Sequence, residues 1–494
     1  MQSIHRRTPV ILCACMGVVT FAPMTPAANT VWDGTVGPNW SSTSGSDSNW
    51  TGGGGTNGRP AANDSLQFAG STNVSTNNDY AADTKFNGIT FNVGASSFTL
   101  GGSRIILNGN IVNSSGVAQT IDLDMVLSAN RTINPNAASI TVNGDIIDDA
   151  TGGRALTKSN GGTLVLGGSN AYTGGTNITG GTVQLAGADD RLPTGGAVTL
   201  QNGNSASAAG GLDLHGFNQT ISALGSSTAG SGAFLGSVTN SASSTTSTLS
   251  VAGSSTFGGT LKDGAGRLAL TKSTGGTLVL TGTHTYSGAT SITGGTLQVD
   301  GVLTASAVAV NTGSLAGGGS ITGSVTVGDA TGSADAFLSP GTGIGTIGTG
   351  DLTFASDGVY QPQISGTSAD STSVSGNVTL AGNTLATATP LDATILTTAP
   401  TIGQLYFIVN NLGSNGVSGL FKSGSTLLTQ GSTFDLTLND STYRFSVSYT
   451  GDFAADTFTG GNDIVLQNVA VPEPAFLALP ACCVVAAAAR RRRR

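Results

Sequence analysis

Residues 155–184 and 269–298 align without a gap at an offset of 114, and 21 of the 30 positions are identical. A long stretch of self-similarity means that one supersecondary unit is used more than once. The first copy reads Leu156-Thr157-Lys158, GGTLVL at 161–166, Tyr172, Gly174, Thr176 and ITGGT at 178–182. The second reads Leu270-Thr271-Lys272, GGTLVL at 275–280, Tyr286, Gly288, Thr290 and ITGGT at 292–296. Within each copy, short runs rich in Thr, Val, Ile and Leu read as β-strands. Glycine pairs punctuate them and supply the positive φ of sharp corners. Three short strands in 30 residues make about one coil of a solenoid. Each coil exposes apolar side chains that only a neighbouring coil can cover.

Composition supports this reading. Gly is 75 of 494 residues, charged residues are 9% and aromatics 5%. Fainter echoes of the strands recur as AVTL at 197–200, TLSV at 248–251, AVAV at 307–310 and SVTV at 324–327. At about 22 residues per coil and ~4.8 Å per layer, some 430 residues would stack into a rod of about 90 Å.

The 30-residue unit resembles the autotransporter-associated β-strand repeat. GGTLVL, the Tyr-Thr-Gly or Tyr-Ser-Gly step and the Ile-Thr-Gly-Gly-Thr run carry the likeness, and Gly211 to Thr220 fits it as well. The resemblance covers roughly 150–330 and implies a right-handed β-helix, as in passenger domains. A true autotransporter would end in a translocator barrel. The final strands here show no such run, so the expected likeness lies in the repeat and not in the secretion route.

Both ends read as addresses. His5-Arg6-Arg7, an apolar run from Val10 to about Ala22 and small residues at Ala27-Ala28 form the three-part layout of a signal peptide. At the other end, Val471 precedes Pro472-Glu473-Pro474, an apolar stretch from Ala475 to Ala489, and Arg490, Arg491, Arg492, Arg493 and Arg494. This tail resembles the PEP-CTERM sorting signal of Gram-negative bacteria. The resemblance implies an exosortase-type membrane protease as partner and, with the apolar stretch, a short transmembrane helix. Without Arg6, Arg7, the five terminal Arg and Glu473, the charge changes from −8 to 12 − 26 = −14. That balance disfavours nucleic acid and anionic lipid.

Chemistry has little to build on. The four Cys lie at positions 13, 15, 482 and 483, and the three His at 5, 215 and 284. No disulfide framework, thiolate metal site or Ser-His-Asp triad is expected. Asp148-Asp149 and Asp189-Asp190 are the best acid pairs for sugar cleavage. Adjacent strand residues point to opposite faces, and both doublets adjoin Gly or Pro, so solvated turns are the expected reading. Gly460-Gly461-Asn462-Asp463 has the look of a single calcium nonapeptide, where tandem copies are needed. Asp122-Leu123-Asp124 reads as a strand edge, and the duplicated Lys158 and Lys272 as structural or surface lysines. Trp32, Trp40 and Trp50 are expected to cap the apolar end of the stack, the alternative being an aromatic platform for sugar rings.

These readings combine into an all-β, right-handed parallel β-helix with capped ends, plus a short C-terminal transmembrane helix. The divisions are a signal peptide at 1–28, an N-terminal cap and first coils at 29–150, and the repeat-bearing helix at 151–350. A C-terminal β region follows at 351–468, as further coils and cap or a small sandwich, then the sorting signal at 471–494. The expected function is an exported, non-enzymatic surface or matrix protein, structural or adhesive and associated with exopolysaccharide or other surface proteins. It would have no cofactor, metal or catalytic residue. The alternative is a polysaccharide lyase or hydrolase on the same scaffold.

Overall fold

A computed structural model describes residues 27–201, 209–227 and 235–471. The chain winds into an all-β, right-handed solenoid of about 13 turns. Most turns contribute a strand to each of three faces, and successive turns pair in parallel; the third face is without strands between Ile146–Asp148 and Gln219–Ile221. The first face runs through Asn29–Trp32, Ser65–Phe68, Ile89–Phe91 and Ile111–Asn113 to Leu156–Lys158 and Ala223–Ser227. The second runs from Ser75–Asn78 through Thr163–Leu166 to Thr260–Leu261, and the third starts at Thr84–Phe86. Strand alternation sends every second side chain inward, where like meets like in register. Ile89, Ile111 and Ile133 stack on the first face, and Val310, Val327 and Phe354 on the third.

The two copies of the repeat lie one face out of step. Leu156–Lys158 belongs to the first face, pairing with Thr176–Ile178. That face continues to Ser255–Phe257, where Leu224 N–H reaches Ser255 Oγ at 3.1 Å and Gly258 N–H reaches Ser226 Oγ at 2.9 Å. From there it passes to Thr277–Leu280. The first face therefore carries LTK in one copy and TLVL in the other, and Arg267–Lys272 lies on the third face. The unit is portable because each coil needs only a parallel neighbour above and below.

Three features inside the unit explain its signature. Lys158 occupies an inward position in register between Ile133 and Ile178. Its stem fills the stack while its ammonium turns into the corner and donates to four carbonyl oxygens, of Ser159, Asn160, Gly161 and Gly180. Lys272 lies between Val251 and Ile292 and donates to Ala252, Thr274 and Gly275. Both are fully buried, so these lysines are structural and not at the surface. Burial pushes the Lys158 ammonium down to about 8, and that of Lys272 down as well. The tyrosines bridge to a threonine four residues on, Tyr172 to Thr176 at 2.7 Å and Tyr286 to Thr290 at 2.6 Å. The corner glycines Gly181 and Gly295 hold φ of 63° and 65°.

At the N-terminal end the chain folds back, and Trp50–Thr51 pairs antiparallel with Asn29–Trp32. All three Trp are at most 1% exposed. They cluster with Phe68, with ring centroids 5.1 Å apart for Trp32 and Trp50 and 5.9 Å for Trp40 and Trp50. A platform open to sugar rings is thereby corrected, because the rings are spent on closing the core. At the other end, parallel pairing reaches Leu405–Asn411 on Ser371–Val374. The sheet then turns antiparallel through Asp463–Val469, Ser441–Gly451 and Thr433–Leu438. Stacked layers therefore span about 60 Å at ~4.8 Å each, shorter than 90 Å, because 405–469 extend a sheet instead of adding turns and because several turns are longer than expected, such as those from Asn29 to Ser65 and from Gln219 to Leu249.

The expected transmembrane helix is corrected too. Among the described residues no helix is long and apolar enough to cross a membrane, and the helical content is a single 3-10 turn at Thr56–Gly58. The stretch 475–489 assigned to that helix lies outside the described residues, as does most of the leader at 1–28.

Candidate functional site

The third face bears a surface row that parallel register builds one residue per turn. Thr220 pairs with Ser250, Ser250 with Thr271, and Thr271 with Ser291. The row passes through Ala309 to Thr326, Thr353 and Thr379. Inward neighbours such as Ile221, Val251, Ile292 and Val327 are fully buried, so alternation turns the row to solvent. Seven hydroxyls and one methyl thus follow one another at ~4.8 Å, over about 34 Å. All eight residues are half-buried, as flat-face side chains packed against like neighbours are. Ser291 Oγ accepts from Asn311 Nδ2 at 3.4 Å. The other six hydroxyls have no hydrogen-bond partner among the described residues, and each offers one donor and two lone pairs to whatever lies on the face. Beside the row, a polar cleft of about 370 Å³ is lined by Ser244, Thr245, Thr246, Ala265, Gly266 and Arg267.

The acid pairs are occupied by the fold. Asp148 Oδ2 accepts from the N–H and hydroxyl of Thr173 at 2.9 and 2.5 Å. Asp149 is ion-paired to Arg154 at 3.0 Å, and that guanidinium holds its carboxyl below the usual range. Asp189 accepts from the backbone and amide of Asn218, and Asp190, at φ 54°, from Thr220 N–H. Asp122 accepts from Asn143 Nδ2, and Asp124 from Asp145 N–H. Asp463 is buried and holds the N–H groups of Asn411 and Phe453, both at 2.7 Å, in place of an ion. Among the described residues no group of three or more His, Cys, Asp or Glu is placed to hold a metal. His215 lies 2.8 Å from Ser241 Oγ through Nδ1, but that hydroxyl already donates to Asp213, so the order of a catalytic triad is not formed.

Sequence reasoning missed the hydroxyl row. Its signal is the Ser or Thr between two inward-facing, buried residues in LTK, TSI, VTV and LTF. The register that aligns them depends on turns that vary within the row from 17 residues, Ala309 to Thr326, to 30, Thr220 to Ser250. The sorting residues Pro472, Glu473, Pro474 and Arg490, Arg491, Arg492, Arg493 and Arg494 lie outside the described residues.

Comparison with known proteins agrees with the repeat. Residues 156–185 and 270–299 match the passenger-associated transport repeat. Over 215 residues, 41% of this chain, the sequence is 30% identical to the adhesin BmaC autotransporter of Brucella suis biovar 1 (strain 1330). The matched stretch spans 6% of that much longer relative.

Proposed function

We propose that this chain is an exported, non-enzymatic surface or matrix protein, structural or adhesive in role, whose third-face hydroxyls associate with polysaccharide. The row of six unpartnered hydroxyls carries the reading. A regular line of donors and acceptors on a rigid face matches an extended chain of sugar hydroxyls without ordering entropy on the protein side. A net charge of −14 without the two terminal segments makes neutral polysaccharide a better partner than an anionic one. The passenger-type repeat and the partial likeness to an adhesin support a place at the cell surface. The PEP-CTERM-like tail supports sorting by an exosortase-type protease. Engagement of the candidate carboxylate pairs in turns and an ion pair favours this reading over a lyase or hydrolase.

Co-sedimentation of the purified chain with insoluble neutral and acidic polysaccharides tests the surface. Retention on a neutral polymer that survives 0.5 M salt, and falls about tenfold in a Thr271→Val, Thr326→Val, Thr353→Val variant, is the expected result. Equal retention of the variant overturns it. Fractionation of the host tests export, and an intact chain in the cytosol defeats it.

A further inference from the structure

The two repeats place different residues at one corner. Asn170 in the first corresponds to His284 in the second. Asn170 ties three turns together: Oδ1 accepts from Ile146 N–H at 3.0 Å on the preceding turn, and Nδ2 donates to Arg191 O at 2.7 Å on the following one. His284 makes half of that link. Nδ1 accepts from Leu261 N–H on the preceding turn at 3.2 Å, which places the ring proton on Nε2. Nε2 is buried and has no partner among the described residues. The ring is fully buried and stacks on Phe257 with centroids 6.2 Å apart.

We propose that this corner is an acid-sensitive joint of the rod, in which protonation of His284 parts the turn carrying Thr283–His284 from the turn carrying Thr260–Leu261. A second proton has to go on Nδ1, where the lone pair holds Leu261 N–H, so the imidazolium cannot keep the bond. It also gains no acceptor at Nε2 and leaves a charge in an apolar core. Burial accordingly pushes the ring down to about 4. Leu261 N–H and the Phe257 ring meet the imidazole and Leu303 is the register partner of His284 on the next turn, none of them titratable. Of the charged side chains on the packed strands and their corners, Lys262 and Asp300 are exposed, and Asp263 is taken up by Leu268 and Ser287 N–H. Asn170 has no such weakness because an amide does not titrate.

Hydrogen exchange on the full chain, read peptide by peptide between pH 7 and 4.5 and corrected for intrinsic rates, tests the joint. Opening at 255–262 and 283–304 is expected to rise about tenfold per pH unit below 6.5, or ~100-fold by pH 4.5, while 89–148 stays protected. His284→Asn, copying the first repeat, is expected to abolish that rise. Protection at 283–304 that does not change with pH overturns the proposal on the wild-type chain alone. So does a folded His284→Asn variant that keeps the rise.

Discussion

The ammonium of Lys158 donates to the carbonyl oxygen of Gly180, one turn further along the chain, at 2.8 Å. With three more carbonyls on its own corner, it neutralises acceptors that a tight glycine turn leaves pointing inward. Lys158→Met keeps the stem in the isoleucine stack and removes the donors. Leaving buried acceptors unsatisfied costs ~1–3 kcal/mol each before relaxation. A net loss of about 3 kcal/mol, read as a lower urea midpoint with unchanged slope, is expected.

Gly181 is the other half of that cage. Its φ is 63°, and an added Cβ would meet the carbonyl oxygen of Gly162 and come within 2.6 Å of Lys158 Nζ. Gly181→Ala is expected to cost ~3 kcal/mol or more, from left-handed strain plus displacement of the ammonium. Gly195→Ala, where nothing lies within 4 Å and φ is ordinary, is the control and is expected to change little. Thermal melting of both variants checks the contrast.

At the N-terminal end, Trp50 Nε1 donates to Trp40 O at 2.9 Å, and Trp40 Nε1 to Thr76 Oγ1 at 2.9 Å. Trp50→Ala removes a buried ring and opens the first turn, at a cost of ~3–5 kcal/mol. The uncovered strand edges and Phe68 make self-association the expected consequence. Light scattering against concentration reads it, and a monodisperse variant with wild-type melting contradicts it.

Asp370 gives a pH dependence of known sign. Burial pushes its carboxyl up to about 6, although it accepts from Gly345 N–H at 2.8 Å and Gln363 N–H at 2.9 Å. Between pH 4 and 6 the folded chain holds a proton that the unfolded chain releases. Stability from this group is therefore full below pH 4 and falls as pH rises through 6, by on the order of 3 kcal/mol. His284 acts in the opposite direction over an overlapping window, so the wild-type profile mixes the two. The stability difference between wild type and Asp370→Asn isolates the carboxyl, and a difference that stays flat from pH 4 to 6.5 contradicts its assignment.

Much of the architecture was legible in the chain. Period-two alternation in TLVL, TVQL and SVTV, with glycine pairs between, determined strands with one apolar side, and such strands at 20-odd-residue spacing have few ways to bury that side except by stacking. Duplication of Lys158 at Lys272 marked both as part of the unit, and glycines beside the acid pairs marked turns. These features are local, because alternation and positive φ are properties of a few consecutive residues. Tertiary structure decided the rest. Which face a strand joins depends on the accumulated lengths of the intervening corners, so one 30-residue unit appears on different faces, and Ser and Thr from seven separate turns fall into a single line. Whether a tryptophan faces sugar or core, and whether a histidine corner finds both of its partners, depends on what the adjoining turn places opposite, and that neighbour is some twenty residues away in sequence.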